Sequence, residues 1–417
     1  MTIISNPPRL AKATRTEQRL SRFELLSINR HICIKEGEKL GLEHPQNFHR
    51  SSKCCHTALA NPNIFQEKSS GNAFYTNLIQ CGNVWTCPHC AAKIERKRAA
   101  EIDVAMGWVY KEFKNNEQRG AMAMRVNGTQ AMMLTFTFPH TRADRLDDLL
   151  DRFNAALRGM RSGKAWQKFK ASTGYRGLIR ATEITLGENG WHPHTHELWF
   201  VDQGITAEEV KDRILPRWIN ALIKHGFISA DDENAIANAK RRALDVKAEV
   251  HSGEYLQKIS RELEVTPESM RISKTRGNHE LARASTKLGK SKGLAPFQIL
   301  RKAGEGSAYH WEKWLEYLAA TKGKSRLFWS PGLKKLVGID TDKTDEELAT
   351  EQTEEADILG FLEYQEWGLI RRSAADKAGV LNAAETGGWA AVRAYIDQLL
   401  RDYYQHLKQK RRSAVKR

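Results

Sequence analysis

The chain has 417 residues, a net charge of +16 and a pI near 9.5. With 41% hydrophobic residues and no apolar run of about 18, the composition excludes a membrane span. A chain this long exceeds one simple core, and so strong a basic excess points to a polyanion, most often nucleic acid. The amino end, Met1 to Pro8, lacks the charged start and apolar core of a secretion signal, so a cytoplasmic location is expected.

Residues 1 to about 50 are mixed and basic without a strong period, and part of this segment is expected to be disordered. All six cysteines, Cys33, Cys54, Cys55, Cys81, Cys87 and Cys90, fall in the first 90 residues, a clustering that suggests metal rather than disulfides. Cys87-Pro88-His89-Cys90 has the spacing of a zinc knuckle, and Cys81 lies six residues upstream. Structural zinc takes four ligands, and Cys54, Cys55 or His56 supplies the fourth. A helix should follow from Ala91 to about Lys114, with Lys93, Arg96, Lys97 and Arg98 able to touch phosphate.

The stretch Ala131 to His140 alternates as a half-buried strand, with Met132, Leu134, Phe136 and Phe138 on one face and Met133, Thr135 and Thr137 on the other. An amphipathic helix follows, with Leu146, Leu149, Leu150, Phe153 and Leu157 on one side. Leu178 to Leu186 reads as a strand, Gly187 to Gly190 as a turn, and Trp191 to Phe200 as a second strand. In that second strand His192, His194 and His196 alternate, so they share a face, while Thr195, Glu197 and Trp199 point the other way. A two- or four-residue loop puts Glu183 opposite His194 or His196, on the histidine face. Two imidazoles and a carboxylate with open positions suit Mg²⁺ or Mn²⁺ holding a substrate oxygen. His192 is a further candidate ligand.

Thr206 with Glu209 starts a helix that ends near Gly226 and contains Pro216, and Ala243 to Val246 reads as a short strand. The order βαββαβ implies an α+β fold, an antiparallel sheet with helices on one face. In Tyr255-Leu256-Gln257-Lys258 the phenol and the ammonium share a helical face. A metal-polarised phosphate and a nearby ammonium would both help a phenol attack. Arg271 to Lys302 carries nine Lys or Arg and one acid, and suits tracking a phosphate backbone. A helical region begins at Pro296, its Tyr309, Trp311, Trp314 and Tyr317 reading mainly as core. Asp340 to Asp357 has nine acids and one lysine and reads as a solvated linker or exposed helix start. The last 60 residues read as helical, around Phe361, Leu362, Trp367, Ile370, Trp389, Val392 and Ile396, with a basic tail.

Four features coincide in order: Cys87-Pro88-His89-Cys90, Leu134-Thr135-Phe136-Thr137, Gly190 through His196, and Tyr255-Leu256-Gln257-Lys258. Together, over roughly residues 80 to 335, they resemble the plasmid rolling-circle replication initiators of the His-hydrophobic-His (HUH) endonuclease superfamily. Thr286-Lys287-Leu288-Gly289 to Phe297 and Phe328-Trp329-Ser330-Pro331-Gly332-Leu333 are similar to that family as well. The resemblance implies an enzyme that nicks one strand at a replication origin, its tyrosine joined to the 5′ phosphate and a 3′ hydroxyl freed for the polymerase. By position His194 and His196 match the metal pair, Tyr255 the nucleophile and Lys258 its lysine.

Thr195 stands where the family often has a bulky apolar residue. His251 stands where some relatives have a glutamate that activates water at termination, leaving His251, Glu249 and Glu254 as candidates. The implied partners are origin DNA and the host helicase, polymerase and single-strand binding protein. DNA contacts are expected at Arg276, Arg283, Lys287, Lys290 and Lys292. The organisation implied is a basic segment (1–50), a cysteine-rich zinc segment and helix (51–127), the nuclease and origin-binding core (128–300), a helical extension (301–338), an acidic linker (339–357) and a helical region with a basic tail (358–417). Rival readings are a related transposase or relaxase, and a non-catalytic zinc-containing DNA-binding regulator.

Overall fold

The computed structural model describes residues 14–111, 124–125, 127–248, 293–351 and 355–415. Tyr255, Lys258, Glu249, His251, Glu254, Arg276, Arg283, Lys287, Lys290 and Lys292 therefore lie outside the described residues. Near the amino end, where partial disorder was expected, helix α1 runs Arg15–Lys39 behind a capping box of Thr14 and Glu17. Its inward stripe is Arg19, Phe23, Leu26, Asn29, Ile32 and Cys33, a helical spacing masked in the sequence by two polar members. Each is satisfied. Arg19 Nη1 donates to Glu385 Oε2 at 3.2 Å, and Asn29 donates to Ser51 Oγ at 2.8 Å while accepting from Trp314 Nε1 at 3.0 Å.

Strands β1 (Asn63–Glu67) and β2 (Ala73–Tyr75) precede helix α2, which spans Pro88–Val109. That helix starts three residues earlier than the expected Ala91, because Cys87 caps it and Pro88 occupies its first turn, where a missing N–H costs nothing. It ends at Val109, short of Lys114, where the chain turns into a two-residue pair, β3 (Tyr110–Lys111) with β4 (Met124–Arg125).

Next come β5 (Thr129–Phe136), α3 (Leu146–Met160), α4 (Gly163–Thr173), β6 (Gly177–Gly187), β7 (Gly190–Asp202), α5 (Ala207–Lys224), α6 (Glu233–Arg242) and β8 (Leu244–Lys247). After the undescribed stretch follow α7 (Pro296–Gly304), α8 (Ala308–Ala320), β9 (Leu327–Trp329), α9 (Leu333–Leu336), α10 (Asp345–Thr350), β10 (Ala356–Phe361), α11 (Tyr364–Ile370) and α12 (Ala374–Val415), the last broken at Gly387 and Gly388.

The central sheet is antiparallel in the order β8-β5-β7-β6-β9. One face buries Met132, Leu134, Phe136, Leu178, Trp199 and Val201 against α3, α4 and α5, with Phe136 edge-on to Trp218 at 5.3 Å between centroids. The opposite face buries Ala131, Met133, Ile179, Ala181, Leu198 and Phe200 against Ile102, Met106 and Val109 of α2 and Leu333 of α9. The sheet is thus covered on both sides over part of its area, not on one side only as the βαββαβ pattern implied. The strand expected at Ala243 to Val246 is β8, and the capped helix at Thr206 is α5 with Pro216 inside it. Trp314 and Tyr317 are fully buried core residues, while Tyr309 is exposed.

The acidic stretch begins α10 and lies against α2. Arg98 pairs with Asp345 at 2.9 Å, Lys97 with Glu351, and Lys93 donates to the Ala349 carbonyl. Three cations expected to meet phosphate are therefore held by this acidic segment, and Arg96 stays exposed. The stretch then enters β10, which pairs with β1 in a small sheet, so Phe361 sits on a strand opposite Asn63 rather than on a helix.

Replacing Asn29 by Leu strands the Trp314 indole N–H in the interior and leaves the Ser51 hydroxyl with His49 alone. We predict a loss of about 1–3 kcal/mol of stability in denaturant unfolding. Lys39→Ala, on the solvent side of the same helix, should leave the midpoint unchanged.

Candidate functional site: a Glu-His-His group and a four-thiol cluster

The β6–β7 hairpin turns at Glu188 and Asn189, with Gly187 opposite Gly190. Gly190 has φ +86°, and a Cβ there would meet the Arg142 Cα and the Thr141 carbonyl at 2.9 Å, so the turn requires glycine. Arg142 donates to the Glu188 carbonyl from Nε at 2.9 Å and clamps the tip. This two-residue loop sets Glu183 opposite His194, Ala181 opposite His196 and Thr185 opposite His192.

Glu183 Oε2 lies 2.7 Å from His194 Nε2 and 3.7 Å from His196 Nε2. The three side chains grade from nearly buried at His196 to half-buried at Glu183. Ligand atoms of Glu183, His194 and His196 lie within 4.8 Å of one another, close enough to hold a metal ion. The donor set fits a cation. His194 Nδ1 lies 3.4 Å from the His192 carbonyl and its Nε2 faces a carboxylate, so both ring nitrogens meet acceptors. A neutral imidazole cannot donate from both, so the arrangement calls for positive charge at this point, carried either by the ring as imidazolium or by a cation between Nε2 and Glu183. Burial alone would raise the Glu183 carboxyl, but hydrogen bonds and charge from His194 and His196 outweigh it and hold it well below the usual carboxylate range.

His192 stands apart from this group. Its Nδ1 is 2.8 Å from His140 Nε2, and His140 Nδ1 meets the Asn189 carbonyl at 3.1 Å. Burial, then the neighbouring His194 and His140, push His192 down to about 4. Sequence reasoning missed His140 and also Thr135, whose hydroxyl lies 2.9 Å from His196 Nδ1. Both contacts depend on which strands and loops are neighbours, which local periodicity does not carry. On the other face Glu197 is fully buried, accepts from Trp199 Nε1 at 2.7 Å and pairs with Arg161.

The second group is Cys54, Cys81, Cys87 and Cys90, all buried. Cys55 N donates to the Ile79 carbonyl and Ile79 N to the Thr57 carbonyl, both at 2.9 Å, so the segments carrying Cys54 and Cys81 are zipped together. Cys87 caps α2 and Cys90 sits on its first turn. Cys54 Sγ is 3.5 Å and Cys81 Sγ 3.8 Å from Cys90 Sγ. Of the three fourth-ligand candidates the structure brings Cys54 into the group; Cys55, at φ +50°, turns the chain beside it. His56 lies outside the group and burial pushes it down to about 3. Hydrogen bonds from Cys54, Cys81 and Cys87 hold Cys90 far below an ordinary thiol, while hydrogen bonds within the cluster and burial push Cys54, Cys81 and Cys87 well above it, so one thiolate, the metal-ligating form, is favoured among the four. A groove of about 490 Å³ lined by Trp85, Phe328 and Trp329 contains neither group.

With this geometry in place, comparison with known proteins is informative. Residues 76–214 match the family model described as "Replication protein". Over this region the chain is similar to replication proteins. It is 27% identical over 346 residues to "Protein rep" of Streptomyces lividans, covering 68% of this chain and 69% of that one. It is 28% identical over 318 residues to the "Neomycin resistance protein" of Streptomyces cyanogenus, covering 62% and 69%. No solved structure matches. The family match contains Glu183, His194, His196 and three of the four thiols; Cys54 and Tyr255 fall outside it. Among the described residues no helix is long and apolar enough to cross a membrane.

Protein stripped with a chelator and titrated with Zn²⁺ should regain thermal stability in wild type, Cys55→Ser and His56→Ala. Cys54→Ser and Cys87→Ser should not, because a metal closing four buried thiols contributes folding energy directly. Equal recovery in Cys54→Ser would remove that residue from the ligand set.

Proposed function

We propose that this protein is a plasmid replication initiator of the rolling-circle type, an HUH-type origin nickase that cuts one DNA strand by tyrosine attack. The observation that carries the reading is the convergence of Glu183, His194 and His196 on one face of the sheet in a strongly basic chain. A divalent cation held there, Mn²⁺ or Mg²⁺, would supply Lewis-acid neutralisation of the oxygens of a scissile phosphate. Tyr255 is the nucleophile of this reading. Its phenolate oxygen forms a bond to phosphorus, the P–O3′ bond breaks, and the departing 3′ oxygen takes up a proton. The product is a 5′-phosphotyrosyl strand and a free 3′ hydroxyl. Lys258, with its positive charge, favours the phenolate and the phosphate together.

Chain connectivity is compatible with this assignment. Lys247 is paired with Met133 and His196 with Thr135, two residues further along β5. Two strand spacings and two residues of rise separate Lys247 from His196 by about 12 Å. Tyr255 is seven residues beyond Ala248, a reach of up to about 23 Å in extended chain. The far end of the same segment, at Leu294, is bridged to Leu186 on β6 beside the hairpin tip. The segment carrying Tyr255 is therefore anchored at both ends to the sheet that bears the Glu-His-His group.

We propose zinc for the thiol cluster, as a structural ion, and origin DNA as the partner. Arg276, Arg283, Lys287, Lys290 and Lys292 carry phosphate contacts in this reading. Host helicase, polymerase and single-strand binding protein act downstream of the freed 3′ end.

Incubation with single-stranded origin DNA and Mn²⁺, followed by a denaturing gel, tests the chemistry. Tyr255→Phe should bind DNA normally but lose both nicking and the covalent adduct. His196→Ala should lose nicking and retain DNA binding. An adduct on Tyr255→Phe would move the nucleophile elsewhere, and no adduct on wild type would reduce the protein to a DNA-binding initiator without this step. Neutralising Lys287, Lys290 and Lys292 together should weaken DNA binding and flatten its dependence on salt, since each lost phosphate contact releases fewer counterions.

A further inference from the structure

Thr135, Asp245 and His196 form one row across three strands. Thr135 on β5 is paired with His196 on β7 and with Asp245 on β8. Cross-strand partners share a face, so all three project to the side that carries Glu183 and His194. The Thr135 hydroxyl reaches His196 Nδ1 at 2.9 Å. At the other edge of the same ring, His196 Nε2 faces Glu183 Oε2 at 3.7 Å.

A hydroxyl can donate or accept, so its contact with an imidazole nitrogen does not by itself decide where the proton sits. The far edge of the ring decides: a lone pair at Nε2 turned toward a cation shared with Glu183 and His194 requires the proton on Nδ1, and the Thr135 oxygen then accepts from His196 Nδ1–H. A neutral imidazole protonated at Nδ1 has its lone pair at Nε2, the edge turned toward Glu183. His194 follows the same pattern by a different device, its Nδ1 aimed at the backbone carbonyl of His192. Both rings thus have acceptors behind them and the shared carboxylate in front.

We propose that Thr135 is a positioning residue that fixes His196 as its Nδ1–H tautomer and turns the Nε2 lone pair toward the cation position shared with Glu183 and His194. The assignment rests on the divalent-cation reading of that group. It gives a function to the Leu134-Thr135-Phe136-Thr137 stretch beyond its part in the core. Leu134 and Phe136 build the helix-side interior, and Thr135, alternating with them, supports a ligand on the other face. Groups of this kind behind a metal-binding histidine are generally worth roughly ten- to a hundredfold in metal affinity.

The experiment compares wild type, Thr135→Val and Thr135→Ser by two readouts. Long-range ¹H–¹⁵N spectra of histidine-labelled, metal-free protein report the His196 tautomer directly. Wild type and Thr135→Ser should show the proton on Nδ1, and Thr135→Val should shift population to Nε2–H. Mn²⁺ titration followed by electron paramagnetic resonance should show Thr135→Val binding roughly ten- to a hundredfold more weakly, with Thr135→Ser close to wild type. Valine keeps the shape of threonine on a strand, and circular dichroism checks that the fold is retained. Should Thr135→Val not fold, the wild-type tautomer and the Thr135→Ser affinity still decide the matter. A wild-type His196 protonated at Nε2, or undiminished Mn²⁺ affinity in a folded Thr135→Val, would overturn the proposal. A wild type that binds no Mn²⁺ while keeping the Nδ1–H tautomer would instead overturn the cation reading alone.

Discussion

The two-residue turn at Glu188 and Asn189 sets the parity of the longest strand pair in the described chain, and the arrangement of both sheet faces depends on it. With Gly187 opposite Gly190, Glu183 shares a face with His194 and His196, while Arg180, Glu197 and Trp199 share the other. A slip of one residue would carry the carboxylate and the imidazoles into the core beneath α3 and α5 and take Trp199 and Val201 out of it. The hydrophobic load of those strands therefore protects the geometry of the polar group. Gly190 and Arg142 act at the tip to the same end, one by allowing the close approach of the neighbouring loop and the other by holding the Glu188 carbonyl.

The thiol cluster performs a comparable service at longer range. Cys54 and Cys81 arrive on two segments paired through Cys55, Thr57 and Ile79, and Cys87 and Cys90 start α2. A helix of 22 residues is about 33 Å long, so fixing its first turn aims its last turn. That far end, Ile102 to Val109, packs on Met133, Ile179 and Leu198, on the same sheet face as the Glu-His-His group and beside it. α2 thus connects the cluster mechanically to the edge of the candidate site. The acidic residues of α10 bind its cationic flank, and β10 ties the same region back to β1.

What could be read in advance was local. Alternation gave the histidine face, the capping box at Thr206 gave α5, and Cys-x-x-Cys spacing with Cys81 upstream gave three of the four clustered thiols. The parts that escaped depend on long-range partners. Arg19 and Asn29 interrupt the apolar stripe of α1, and only Glu385, Ser51 and Trp314, brought in by folding, make them compatible with burial. The strands β9 and β10 are too short to show a period and form because β6 and β1 offer open edges. The choice among Cys54, Cys55 and His56 required knowing how residues 54–57 lie against residue 79. The contact of Thr135 with His196 required knowing that β5 is the neighbour of β7.

Depth orders the histidine face in a way that links packing to chemistry. α2 and α9 cover the end of the sheet at Leu198 and Ala181, and the cover stops at His196, whose side chain is 4% exposed. His194 follows at 13% and Glu183 at 20%, so exposure rises from ligand to ligand toward the hairpin. The deepest imidazole has least access to water and relies most on protein groups behind it, which is where Thr135 stands. The carboxylate is the most open of the three, so a cation held by this group would be reached from the Glu183 side. In the proposed reading a dry side would fix the side chains and a wet side would admit a phosphate, as a site preorganised for its substrate requires. In this fold both follow from where one helix stops along one strand.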